Sequence, residues 1–320
     1  MAIVGIQTIL FGVDDLNKWS AFFEDFGLTR PDGSNAGAIS YVLPEGSQIT
    51  LRHSSDPSLP PAFLATDGPR EVIWGVDSQG SLDRIEHALR TDRPVTKDAD
   101  GTLHSIDPNG IRIGFRLFVR RPFQRVEGSE NAVGNPVRWN KRRSWYSQAR
   151  PKVIQHIVFG VPDIDAGVAF YCERLGFRIS DISRGLGVFM RCDGRHDHHN
   201  LFLPKAEKIY FHHVSFGVDN IDELMAGANH MQRKGWPGGH GLGRHRVSSM
   251  IFYYLKSPSS GEIEYSADGD AVDDNWEPSL WSPKFGNIHW VGSVTDVQMT
   301  PADYDLTPLP KPIPAFSQLK

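Results

Sequence analysis

An α+β fold of four strand–helix–strands modules, joined in two pairs, is what this sequence predicts. Three observations carry it: a strand motif that recurs four times, a helical pattern after each copy, and a hairpin motif that closes each pair. The four openings read Thr8-Ile-Leu-Phe-Gly-Val13, Glu71-Val-Ile-Trp-Gly-Val76, His156-Ile-Val-Phe-Gly-Val161 and His213-Val-Ser-Phe-Gly-Val218. Each is an aromatic-Gly-Val core behind apolar residues, the pattern of a buried strand.

In the first module Leu16, Trp19, Phe22 and Phe23 recur at helical spacing, and Gly27 ends the run. In the third, Asp163 or Asp165 can cap a helix holding Val168, Phe170, Tyr171 and Leu175, with Gly176 as its stop. The closing motifs Asp107-Pro-Asn-Gly-Ile-Arg-Ile-Gly114 and Ser257-Pro-Ser-Ser-Gly-Glu-Ile-Glu264 have equal length, and each reads as a tight turn feeding an outgoing strand. The pattern divides the chain into a first pair over 1–120, a polar and basic linker over 121–152, a second pair over 153–290 and a Pro-rich tail over 291–320. The basic run Asn140-Lys-Arg-Arg143 is read as solvated linker, and the tail as an extended segment without a catalytic role.

Composition narrows the function. The 320 residues are 39% hydrophobic and 22% charged, with a net charge of −4, which points away from nucleic acid and anionic membranes. Cys172 and Cys192 are too few for a disulfide framework or a cysteine zinc site. There is no apolar run of the ~20 residues a span needs, and no secretory leader pattern at the start. A reducing cytoplasm is the expected setting. Gly238-Gly-His-Gly-Leu-Gly243 has the wrong spacing for a dinucleotide loop, and no nucleophile elbow is present.

The repeat exposes the chemistry. At the strand start the first two modules carry Thr8 and Glu71, where the last two carry His156 and His213. At the hairpin end Gly114 stands where the second half has Glu264. Two histidines and one carboxylate form a face that leaves positions open on a six-coordinate metal, so substrate and O2 can both bind. Nearby stand His199, at the end of Arg195-His-Asp-His-His199, then His245 and Tyr254. His196 and His198 are read as a solvated loop. Trp236, Trp276, Trp281, Phe189 and Met190 are candidates for an apolar pocket wall, and equally for core.

Gly243-Arg-His245, Phe-Tyr-Tyr254, Pro258 and Glu264 together resemble the signature of the type I extradiol ring-cleavage dioxygenases of the vicinal oxygen chelate superfamily. The stretches Cys192–His199 and Phe211-His-His213 resemble two further segments of that family. The resemblance implies four βαβββ modules paired into two half-open eight-stranded barrels. It implies extradiol cleavage of a substituted catechol by O2, in aromatic compound degradation, by a homo-oligomer. The cofactor would be Fe(II), with Mn(II) as the alternative, held by His156, His213 and Glu264. His199 would be the acid–base residue, with His245 and Tyr254 holding the catecholate. The departures are Ser257, Ser260 and Ser248, where some members carry Asp at the last of these positions. The competing readings are a metal-dependent glyoxalase-like isomerase and a non-catalytic binding protein on the same fold.

Overall fold

The computed structural model describes residues 2–30, 37–124, 130–143, 145–283, 286–292 and 306–319. The first half opens with β1 (Ile3–Val13), α1 (Leu16–Asp25), β2 (Ala38–Val42) and β3 (Gln48–His53). It closes with β4 (Gly68–Val76), α2 (Gln79–Arg90), β5 (Thr96–Lys97), β6 (Leu103–Ile106) and β7 (Arg112–Leu117). These strands form one sheet in the order β2-β3-β1-β4-β7-β6-β5.

The second half runs β8 (Val153–Gly160), α3 (Ile164–Val168), β9 (Arg178–Ser183), β10 (Gly187–Arg191) and β11 (Leu201–Pro204). Then come β12 (Tyr210–Gly217), α4 (Ile221–Arg233), β13 (Gly238–His245), β14 (Ile251–Lys256) and β15 (Glu262–Ala267). Three short strands follow: β16 (Ser279–Trp281), β17 (Ile288–Val291) and β18 (Leu306–Pro308). All of them lie in an eleven-stranded sheet, β17-β13-β14-β15-β12-β8-β11-β10-β9-β16-β18.

The class is the predicted one, but the strand counts are seven and eleven rather than eight and eight. Residues after 278 add β16, β17 and β18 to the two edges of the second sheet, covering edges that would otherwise stay unpaired. Residues 31–36, between α1 and β2, fall outside the described residues.

Register confirms the internal repeat. Thr8 faces Ile73 across β1 and β4, as His156 faces Ser215 across β8 and β12. Ile73 in turn faces Gly114, as Ser215 faces Glu264. The residues matched by sequence therefore occupy matched lattice points in two sheets.

The helices cap as their sequences ask. Asp15 accepts from the Lys18 amide, and Asp163 from the Ala166 amide at 2.9 Å. Asp165 is used differently, accepting from the Ser317 amide at 3.2 Å and so pinning the tail. After α3 the chain continues as a π-turn over Ala169–Arg174, which buries Phe170 and Tyr171. Both hairpin turns close, Asp107 N–H to Ile111 O at 2.8 Å and Ser257 N–H to Gly261 O at 3.2 Å. The left-handed residue is Gly110 in the first and moves one place on to Gly261 in the second, so Ser260 never needs it.

The two sheets share one core. Phe26, just past α1, stacks on Tyr265 of β15 at 3.9 Å and 4°, and the Tyr265 hydroxyl donates to Phe26 O at 2.7 Å. Phe11 meets Phe211 edge-on at 6.1 Å. Basic residues in and beside the linker serve ion pairs: Arg120 just before it with buried Glu45, then Arg143 with Asp222 and Lys152 with Glu223 at 3.0 Å. Among the described residues no helix is long and apolar enough to cross a membrane.

Candidate metal centre and cavity

β8, β12 and β15 are neighbours in the second sheet, and each contributes one inward side chain to the same point. His156 Nε2 lies 3.0 Å from His213 Nε2, and Glu264 Oε2 lies 3.2 and 3.5 Å from them. All three residues are buried. Ligands about 2.1 Å from an ion at right angles stand about 3.0 Å apart, so the spacing suits adjacent positions of an octahedron.

The donor set fits a cation on a second ground. Both Glu264 oxygens are buried without a hydrogen-bond partner among the described residues, although two imidazole nitrogens sit close by. A carboxylate in that state costs several kcal/mol unless a positive charge offsets it. Burial pushes Glu264 up, but the facing His156 and the nearby His245 outweigh it and hold the carboxyl below its ordinary value. Burial and the surrounding imidazoles push His213 well down, which keeps the ring neutral as a ligand must be. Its Nδ1 lies 2.7 Å from His212 Nδ1, an outer partner that fixes the ring with Nε2 inward.

Above the trio is a cavity of about 160 Å³. His199, His245 and Tyr254 all line it. The His199 ring lies 4.2 Å from that of His156, and burial followed by the neighbouring imidazoles pushes it well below the ordinary histidine value. His245 Nδ1–H donates to Asn287 O at 3.2 Å, which leaves Nε2 to accept from the Tyr254 hydroxyl at 3.2 Å. Burial brings His245 down to about 4. Tyr254 stands directly opposite Glu264 in the β14–β15 ladder, the shared face that spacing across a turn could not establish.

The other wall is apolar. Phe189 and Phe202 stack at 3.9 Å, and with Val158 and Val247 they form a small cluster against which Trp281 packs. Of the other expected wall residues, Met190 belongs to the main core, Trp236 packs on Phe22, and Trp276 meets His198 at 5.7 Å. Sequence reasoning missed Asn287 and Ile288, at the entry to β17, a strand that gave no periodic signal. Ser248 lies on the cavity with φ +74° and a buried hydroxyl that has no partner among the described residues. A left-handed serine costs of order 1 kcal/mol, strain of the kind that collects at ligand sites.

One expectation is corrected. His196 is exposed, but His198 is buried rather than solvated. Its Nε2 lies 3.0 Å from Asp181 Oδ2, so a buried acceptor 17 residues earlier draws the ring inward.

The matching frame of the first half is occupied differently. Glu71 pairs with His104 at 2.8 Å, and His104 faces Gly114 as Tyr254 faces Glu264. A Cβ at Gly114 would sit 3.0 Å from Leu103 O, so that position has little room for a ligand.

Residues 153–265 match the family described as the Glyoxalase/Bleomycin resistance protein/Dioxygenase superfamily. The chain is 33% identical over 261 residues to metapyrocatechase 2 of Cupriavidus necator, covering 81% of this chain and 70% of that one. It is 32% identical over 312 residues to biphenyl-2,3-diol 1,2-dioxygenase of Paraburkholderia xenovorans, covering 89% and 96%. Among solved structures, the Mn(II)-bound glyoxalase from Novosphingobium aromaticivorans superposes with a TM-score of 0.71 at 20% identity, over 90% and 91% of the two chains.

Proposed function

The chain belongs to the Glyoxalase/Bleomycin resistance protein/Dioxygenase superfamily as an extradiol ring-cleaving dioxygenase, and from that premise we propose that it opens a single-ring, small-substituent catechol at a ferrous ion held by His156, His213 and Glu264. The observation that carries the reading is the convergence of three ligand atoms, all within 4.8 Å of one another, beneath a cavity lined by His199, His245 and Tyr254. Cavity size supports the substrate class. About 160 Å³ is close to the roughly 150 Å³ that admits benzene, which suits one ring against the Phe189–Phe202 wall.

The bound metal would supply a Lewis-acidic, redox-active centre at which catecholate and O2 meet, with iron favoured over manganese by the two-histidine, one-carboxylate donor set of the non-haem iron oxygenases. His199, neutral in its buried setting, would take a proton from one catechol hydroxyl and later return it to a product oxygen. Asn287 O fixes the His245 imidazole and His245 Nε2 steadies the Tyr254 hydroxyl, which would turn its hydrogen to the catecholate oxygen when substrate binds, leaving Nε2 to accept from the remaining catechol hydroxyl. The Phe189–Phe202 wall keeps water from the ring being opened. The domain division at 120 and 153 is part of this proposal, with the second half catalytic and the first half metal-free.

Oxygen uptake by the anaerobically Fe(II)-loaded protein tests it, across catechols from unsubstituted to phenyl-substituted. Uptake matched by coloured ring-fission product, fastest for one-ring catechols, is expected. Faster turnover of the phenyl-substituted compound would overturn the size assignment, and no uptake at all would point to an isomerase.

A further inference from the structure

We propose that Asp181 and His198 are positioning residues that set the tautomer of His199, so that its cavity-side nitrogen, Nε2, meets the substrate as a bare acceptor. The inference rests on the acid–base role proposed above for His199.

The observation is an unbroken buried chain. The Ser279 amide donates to Asp181 Oδ1 at 2.7 Å, and His198 Nε2 lies 3.0 Å from Asp181 Oδ2. His198 Nδ1 then lies 3.2 Å from His199 Nδ1. Asp181 and His198 are 1% exposed and His199 4%, so water does not compete for these bonds.

Where each imidazole holds a single hydrogen, donor logic allows one assignment along this chain. A carboxylate only accepts, so His198 carries its hydrogen on Nε2. A neutral imidazole has one hydrogen, so His198 Nδ1 is an acceptor. His199 must then donate from Nδ1, and its other nitrogen, Nε2, is left with a lone pair. Nε2 lies across the ring from His198, no hydrogen bond among the described residues ends on it, and His199 lines the cavity. Two side chains that touch no substrate thus decide whether the reacting nitrogen accepts or donates.

Asp181→Asn tests this with little change of shape. Its Oδ1 keeps the Ser279 bond, while its new Nδ2 donates to His198 Nε2. The hydrogens then shift along the chain, His198 donates from Nδ1, and His199 shows an N–H to the cavity. With the iron-loaded enzyme, kcat should fall about 10²- to 10⁴-fold, the loss typical of a missing or wrongly tautomeric base, while KM for catechol, metal content and melting temperature stay near parent values. A second readout does not depend on turnover. Ring ¹⁵N shifts of histidine-labelled protein loaded with diamagnetic Zn(II) should show Nδ1–H at His199 in the parent and Nε2–H in Asp181→Asn. Parent-like kcat in the variant, or the same His199 tautomer in both proteins, overturns the inference. If the parent itself cleaves no catechol, the functional reading fails, and the ¹⁵N shifts still decide the tautomer.

Discussion

At the residue scale, the site is a set of polar groups whose burial makes sense only together. His199→Gln should keep metal content and catechol affinity but lose about 10²- to 10⁴-fold in kcat; parent-rate turnover by that variant would remove His199 from the chemistry. The same burial makes stability depend on pH. Burial holds His199, His213 and His212 below the ordinary histidine value and brings His245 to about 4. Their unfolded values lie near 6.5, so below that pH the unfolded chain binds protons that the folded chain refuses. Stability is therefore full above about pH 6.5 and is lost as pH falls towards 4. For protein stripped of metal by a chelator, the melting temperature should drop steeply between pH 7 and 5, and a flat profile would contradict the assigned direction. His156, His213 and Glu264 were legible in the sequence because a repeat supplied its own control, with Thr8, Glu71 and Gly114 in the matching frames. His198 was not, because its partner Asp181 is 17 positions away and only the fold brings them together.

At the scale of elements, the joints between helix and sheet carry the constraint. Gly27 follows α1 with φ +101°, and a Cβ there would lie 2.1 Å from Ala149 O. Neither the backbone angle nor a peptide oxygen can yield cheaply, so Gly27→Ala should destabilise by about 2 kcal/mol or more, read as a lower urea midpoint at unchanged slope. A neutral result would mean that the linker before β8 shifts freely. The helix stops Gly27 and Gly176, the cap Asp163 and the two hairpins were all readable, since each depends on neighbours within a few residues. The strands β16, β17 and β18 were not readable. They are three or four residues long, and their reason to exist is an open sheet edge formed by distant parts of the chain. The π-turn after α3 also escaped, because the apolar spacing there suits a helix of either pitch.

For the whole molecule, the shared core predicts cooperative unfolding. Phe26 on Tyr265 and Phe11 on Phe211 join the two sheets through buried contacts, so neither sheet keeps its packing if the other melts. Calorimetry of the metal-free protein should give a single transition whose calorimetric and van't Hoff enthalpies agree. Two resolved transitions would show that the halves melt independently.

By itself the sequence determined the module repeat and the fold class, and it singled out His156, His213 and Glu264, which the fold brings together. Those features rest on local periodicity and on comparison between copies within one chain, and both are written in residue order. Tertiary structure alone decided which nitrogen of each imidazole faces the cavity, how large that cavity is, and that Ser248, Asn287 and Ile288 line it. These depend on the distance between segments far apart in the chain, and no pattern along the chain encodes a distance across it.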